Sequence, residues 1–263
     1  MIEKALRDAR KIVIKIGSNT LAQSDGTINR EFMRDFASQC ADLIESGKQI
    51  VLVSSGAQVA GVSTLHRWAR KRDIHYRQAL CAIGQVELMD NWRQAFAERS
   101  IHIGQLLLTK DDFQDDYRTL NMRNTLFTLV DEHVVPIINE NDSVSTEEIK
   151  IGDNDNLSAL TAILWGADLL MLFSDIDGVY DKNPKEHADA KLIEVVPDVA
   201  VLRNSILLGS SNSFGTGGMA TKLEAAEKVT AYGIPMLLAN GSASRCLSSL
   251  VDGSRLGTIF LAK

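Results

Sequence analysis

Short, predominantly apolar runs recur along the chain, most of them closed by a small or polar residue. They are Ile12–Ile16, Ile50–Val53, Ile101–Leu108, Val134–Ile138, Leu169–Phe173, Ile234–Leu238 and Gly257–Leu261. Runs of this length without polar alternation read as strands buried on both faces. Between them lie segments with helical spacing: residues from about Arg30 to Glu45, stopped by Gly47, then Ile74–Arg99, Leu120–Glu132, Asn154–Leu164 and Gly217–Tyr232. Strands alternating with helices predict an α/β fold: a three-layer αβα sandwich around a mainly parallel central sheet. In the second helical segment Val86, Leu88, Met89, Trp92 and Phe96 fall mostly on one face and read as core or as a dimer contact. Asp181–Ala190 is polar and reads as a surface loop. With no internal repeat, low-complexity tract or long linker, residues 1–263 read as one domain with two lobes, about 1–165 and 166–263.

Composition narrows the class. The 263 residues are 45% hydrophobic, enough for a substantial core. No apolar run reaches the roughly 20 residues that a membrane span needs, and the mixed charges of Met1–Arg7 do not form a secretory leader. These readings place the chain in the cytoplasm. A formal net charge of −6 argues against nucleic acid as the main partner. Cys40, Cys81 and Cys246 are odd in number, far apart and in apolar surroundings, so they read as buried thiols. His66, His75, His102, His133 and His187 are scattered, without triad or metal spacing, and read as surface or packing residues.

Chemistry concentrates in a few segments, and in a parallel sheet the carboxyl ends of the strands can collect them into one crevice. Lys15 stands inside an apolar strand, where an ammonium is costly unless it meets an anion. Either it touches phosphate, helped by the turn Gly17-Ser18-Asn19-Thr20, or it lies on an edge strand and reaches solvent. Ser54-Ser55-Gly56-Ala57 opens a helix whose N–H groups could meet an anion, or is an ordinary capped turn. Gly215-Thr216-Gly217-Gly218-Met219-Ala220-Thr221-Lys222 combines three glycines with a lysine in the first helical turn, a pattern suited to phosphate although not a Walker A sequence. Asn139, Asn141, Asp142, Asp153, Asn154, Asp155 and Asn156 form a dense acidic and amide-rich set, more than helix caps require, suited to an amine and to orienting lysines. The loop from Ser174 to Pro184, with Tyr180, follows a strand and could line a nucleotide base. A phosphate-holding segment beside a set that can hold both charges of a small molecule implies phosphoryl transfer to that molecule.

These segments occur in the order seen in the amino-acid kinase family. The chain resembles that family through Ile14–Ser18, Val53–Ala57, Ile138–Asp142, Lys150–Ala159, Asp175–Tyr180 and Gly215–Lys222. The pairing of Asn139–Asp142 with Gly152–Ala159 is similar to that of the members that phosphorylate glutamate. The resemblance implies the amino-acid kinase fold. It also implies ATP with Mg²⁺ as phosphoryl donor, the side-chain carboxylate of L-glutamate as acceptor, and the first step of proline biosynthesis as the reaction. On it, Lys15 and Lys222 neutralise the moving phosphoryl group and Asp155 orients them. Ser55, Gly56, Ala57, Asp142 and Asn154 hold the amino acid, with Asn139 and Asp153 nearby. Lys15, Ser174, Asp175, Tyr180 and the loop Thr216, Gly217, Gly218, Met219, Ala220, Thr221 and Lys222 hold the nucleotide. The first lobe then serves the amino acid and the second the nucleotide. The resemblance further implies feedback inhibition by proline, a dimer or tetramer, a functional link to glutamyl phosphate reductase, and a form lacking the C-terminal PUA domain of many relatives. Asn19 departs from the small hydroxyl residue usual at that position, and Ser174 from the usual Thr.

Two rival readings stay on the same fold. One is another family enzyme, such as acetylglutamate kinase, or more distantly a uridylate or carbamate kinase. A blocked, uncharged nitrogen would leave Asp142 unmatched. The other is a non-catalytic regulator that binds nucleotide or amino acid, for which retention of Lys15, Lys222 and Asp155 has no use.

Overall fold

The computed structural model describes residues 1–263 apart from 67–69, 71, 146–153, 183, 185, 210–217, 243 and 255, with the backbone alone for 206–209. Its elements in chain order are α1 (Ile2–Asp8), β1 (Lys11–Ile16), α2 (Ser18–Leu21), α3 (Arg30–Glu45), β2 (Gln49–Ser54), α4 (Ala57–Leu65), α5 (Ile74–Ala97), β3 (Ile103–Leu108), a 3-10 turn (Lys110–Phe113), α6 (Asp116–Asp131), β4 (Val135–Glu140), α7 (Asn154–Trp165), β5 (Leu169–Ser174), β6 (Val195–Val196), α8 (Val199–Gly209), α9 (Gly218–Ala231), β7 (Met236–Asn240), α10 (Cys246–Val251) and β8 (Thr258–Phe260). Among the described residues the strands form one eight-stranded sheet in the order β3-β4-β2-β1-β5-β7-β8-β6. The pairings are parallel except β7 with β8.

The strand side chains divide between two cores, as a period of two requires. Ile12, Ile14 and Ile16 of β1 join the core under α3 and α5. Val13 joins the opposite core, with Leu126 of α6, Leu157 of α7 and Leu223 of α9. The sheet is therefore covered on both faces, as a three-layer αβα sandwich. Phe36 of α3 meets Phe173 of β5 edge-on at 5.5 Å and Trp92 of α5 at 6.4 Å. Trp92 Nε1 also donates to Ser54 Oγ at 2.9 Å, which ties α5 to the end of β2. This buried indole thus satisfies its one donor while anchoring a helix beside the sheet's carboxyl edge.

The expected core strands are all present, with ends shifted by one or two residues. β8 runs antiparallel to β7. The helix expected from Leu120 begins at Asp116, because Asp115 caps it by accepting from Arg118 N at 2.8 Å. Val86 does not share the buried face of α5: it is 71% exposed, whereas Leu88, Trp92 and Phe96 are buried and Met89 is partly buried. Val86 falls half a turn from Leu88 and so points the other way. The short α1, α2 and α10 escape periodicity because so few turns carry little pattern.

All three cysteines are buried free thiols, and burial pushes the Cys40 thiol well up. The five histidines are exposed. Among the described residues no helix is long and apolar enough to cross a membrane.

Candidate active site

Lys15 lies on β1, inside the sheet between β2 and β5, opposite Val53 and Leu172. The edge-strand reading is therefore wrong: the ammonium cannot escape to solvent and must be compensated in place. Two residues after Val13, it points to the face covered by α7 and α9. There Lys15 Nζ sits 2.6 Å from Asp155 Oδ1. Lys222 Nζ, from the first turns of α9, reaches Asp155 Oδ2 at 3.0 Å and the Gly218 carbonyl at 3.1 Å. Thr221 Oγ1 donates to the same Asp155 Oδ2 at 2.9 Å. Burial alone would raise the Asp155 pKa, but the ammonium groups of Lys15 and Lys222 overcome it and hold the carboxyl at about 2, below the usual 3.8. One buried carboxylate thus stands between two buried ammonium groups. The arrangement keeps an excess of positive charge suited to an incoming anion.

Three consecutive residues opening α7 serve three separate networks, because each step along a helix turns the side chain by about 100°. Asn154 faces the ends of β2 and β4: its Nδ2 donates to Ser55 Oγ and to Asn139 Oδ1, each at 2.8 Å. Asp155 faces the lysines. Asn156 Oδ1 accepts from Lys228 of α9 at 2.7 Å. All three are buried. Asn139 Oδ1 also accepts from Glu140 N at 2.9 Å, and Asn139 Nδ2 donates to Gln85 Oε1 at 2.8 Å. The Asp142 main-chain carbonyl accepts from Gln78 Nε2 at 2.9 Å.

Two short turns complete the rim. After β2, Gly56 takes φ +106°, and a Cβ there would come to 3.0 Å from Leu21; the glycine is needed for the sharp entry into α4. Ser55 N is spent on Ile16 O at 3.1 Å, so the donors this turn can offer an anion are the first N–H groups of α4, starting at Ala57. After β1, Gly17 N bonds to Phe173 O and Thr20 N to Gly17 O, each at 3.2 Å. The first N–H groups of α2, those of Ser18 and Asn19, remain for a partner outside the helix.

On the other side of β1, Ser174 Oγ donates to Asp175 Oδ1 and Asn19 Nδ2 to Asp175 Oδ2, each at 3.1 Å. Burial would raise the Asp175 pKa, but these two contacts and the nearby Lys222 charge lower it. Asn19, which departs from the usual residue, is thus engaged in holding Asp175. Tyr180 stands apart from these networks, donating to Asp177 Oδ2 at 3.0 Å. Met219 is partly buried against the second core, while Gly218 and Ala220 are exposed. Asp153, Gly215, Thr216 and Gly217 lie outside the described residues.

Sequence reading missed Gln78 and Gln85. Glutamine in a helix carries no signal of its own, but the glycines beside them do. A Cβ on Gly84 would lie 1.8 Å from the Ala57 carbonyl, and one on Gly61 2.0 Å from the Leu80 carbonyl. Mid-helix glycines of this kind mark close backbone approach, here of α4 to α5.

The family model for the amino acid kinase family matches residues 10–240. The chain belongs to the amino acid kinase family. Among curated members of that family it is similar to the glutamate 5-kinase of Alkaliphilus metalliredigens, 60% identical over 100% of this chain and 99% of the relative. It is 48% identical to the glutamate 5-kinase of Treponema pallidum, over 99% of each chain. It is 44% identical to that of Methanococcoides burtonii, over 98% of this chain and 70% of the relative. Among solved structures, the carbamate kinase of Giardia lamblia bound to AMP-PNP superposes with a TM-score of 0.68 at 17% identity, covering 97% of this chain and 99% of that one. The UMP kinase of Bacillus anthracis gives 0.66 at 15% identity, covering 97% of each. These structural likenesses establish the shared family fold.

Proposed function

We propose that this chain transfers the γ-phosphoryl group of ATP to the side-chain carboxylate of L-glutamate, giving L-glutamyl 5-phosphate as the first step of proline biosynthesis. The observation that carries the reading is the buried Lys15–Asp155–Lys222 cluster lying directly beside the Ser55–Asn154–Asn139 network. The first suits a transferring phosphoryl group and the second a small polar acceptor, and Asn154 and Asp155 join them through adjacent positions on one helix. Similarity to glutamate 5-kinases over the full chain names the acceptor.

The chemistry asks little of the protein beyond placement. A glutamate side-chain carboxyl, with a pKa of about 4.3, is already ionised at neutral pH and needs no general base. Phosphoryl transfer depends on positioning and on neutralising charge on the phosphoryl oxygens. Lys15 and Lys222 supply fixed positive charge, and Asp155 holds both ammonium groups in place. The first N–H groups of α2 and α4, with Ser174 and Asp175, offer further contacts at the same edge. In this reading residues up to about 165 form the amino-acid side and those from about 166 the nucleotide side. Asp142 takes the substrate ammonium, with Asp153 nearby, and Thr216–Lys222 with Tyr180 the nucleotide.

Among the described residues no group of three or more His, Cys, Asp or Glu side chains could hold a metal ion. In this reading Mg²⁺ would come with ATP and would help to screen the charge of its phosphates. Proline as inhibitor, a dimeric or tetrameric assembly, action in the cytoplasm and a reductase that consumes the labile product belong to the same proposal.

The test is ATP turnover with Mg²⁺ and L-glutamate in the presence of hydroxylamine, which traps an acyl phosphate as hydroxamate. Parallel reactions contain N-acetylglutamate, aspartate or no acceptor. Glutamate-dependent hydroxamate is the expected result. Preference for N-acetylglutamate, or ATP binding without turnover of any acceptor, would overturn the assignment.

A further inference from the structure

We infer that Gln85 on α5 determines specificity in the amino-acid subsite, its side-chain amide donating to the α-carboxylate of the substrate. The inference rests on the glutamate reading above.

The orientation of this amide follows from a single main-chain group. The Glu140 N–H can only donate, so the Asn139 atom that meets it at 2.9 Å is the carbonyl Oδ1. Asn139 therefore turns its Nδ2 toward Gln85, which must answer with Oε1, at 2.8 Å. Reversing the glutamine would set two NH₂ groups against each other. The Gln85 Nε2 group is thereby fixed on the side away from Asn139. It is buried and, among the described residues, has no hydrogen-bond partner. A buried donor pair is costly to leave unmatched, so its orientation is maintained at the expense of the free protein. That is the condition under which a bound ligand gains most from supplying the acceptor.

The position fits the chemistry. Asn139 Oδ1 also takes the Asn154 amide, which reaches Ser55. Gln85 is thus the terminal donor of a line of hydrogen bonds running through the proposed amino-acid site. Two helical turns earlier on the same face of α5, Gln78 holds the Asp142 carbonyl. One helix therefore governs both a donor for a carboxylate and the placement of a carboxylate for an ammonium. An α-amino acid carries those two groups on one carbon and needs both partners at the same end of the cleft. Contact through Gly61 and Gly84 fixes α5 against α4 closely enough to maintain this spacing.

The experiment compares wild type, Gln85→Glu and Gln85→Met with L-glutamate and with L-glutamate α-amide, whose α-carboxylate is neutralised. Gln85→Glu keeps an acceptor toward Asn139 but turns the donor into a charged acceptor. We expect its KM for L-glutamate to rise at least 10-fold, its KM for ATP to stay within 2-fold, and its preference for glutamate over the α-amide to collapse. Gln85→Met should raise the glutamate KM with an intermediate loss of preference, and it gives the answer if Gln85→Glu fails to fold. An unchanged glutamate KM, or equal losses on both acceptors, would overturn the inference in favour of a purely structural amide. A wild type that phosphorylates neither acceptor would instead overturn the functional reading itself.

Discussion

Lys15 Nζ lies 2.6 Å from Asp155 Oδ1, joining the central strand of the sheet to the first turn of α7. The contact explains how a lysine survives inside an apolar strand. It also makes Asp155 a structural and a functional group together, since Lys222 occupies the other carboxylate oxygen at 3.0 Å.

Asp155→Asn should leave two buried ammonium groups facing a neutral amide. Removing one partner of a buried ion pair typically costs about 3–5 kcal/mol. Urea denaturation at neutral pH should show a loss of that size, and activity should fall even where the variant remains folded. Stability within about 1 kcal/mol of wild type would mean that the lysines find other compensation.

The same carboxylate sets an acid limit. Its folded pKa of about 2 lies below the ordinary 3.8, so the unfolded chain takes up the proton first as pH falls. The associated stability is complete above about pH 4 and disappears as pH falls through about 2, amounting to about 2 kcal/mol. Comparing wild type with Asp155→Asn from pH 6 to pH 2 should show the gap between them narrowing by about 2 kcal/mol over that window.

Lys222→Ala should fold, because Lys15 still neutralises Asp155. Its kcat should drop roughly 10²–10³-fold, by analogy with loss of a single transition-state donor. Hydroxamate formation and thermal denaturation measured together separate the two effects, and near-normal turnover would remove Lys222 from the catalytic set.

Asp142→Asn tests the amine partner. We expect a glutamate KM raised at least tenfold, a largely unchanged ATP KM, and relatively better use of N-acetylglutamate. A parallel rise in both KM values would point to displacement of the loop after β4 instead.

Gly84→Ala should be among the most damaging single-methyl changes in the chain. The new Cβ would lie 1.8 Å from the Ala57 carbonyl and 2.2 Å from Gly61 N, and main chain cannot yield cheaply. Overpacking of this kind costs about 3 kcal/mol or more. Chemical denaturation measures it. A variant that still folds should bind glutamate poorly, since α5 carries Gln78 and Gln85.

Much of this was legible because periodicity reports burial. The short apolar runs of β1, β2, β4 and β5 read as strands covered on both faces, and the helix from Arg30 to Glu45 was bounded by its own apolar spacing and Gly47. Residue chemistry also marked Lys15, Asn139, Asn154, Asp155 and Lys222, because charge and amides are costly inside a core unless they are used. Sequence alone thus determined the α/β class, the principal elements and most members of the candidate site.

Tertiary structure decided which of those groups meet. Whether Lys15 stood on an edge or a central strand depended on strand order, which no local pattern encodes. That Asp155 takes both lysines while its neighbour Asn154 takes Ser55 and Asn139 depended on the rotation of α7 against the sheet. Gln85 became visible only there as well: its chemistry is set by the direction of an amide that a single Glu140 N–H fixes from another element. Hydrogen-bond polarity is a property of groups already in contact, and the contacts come from the fold.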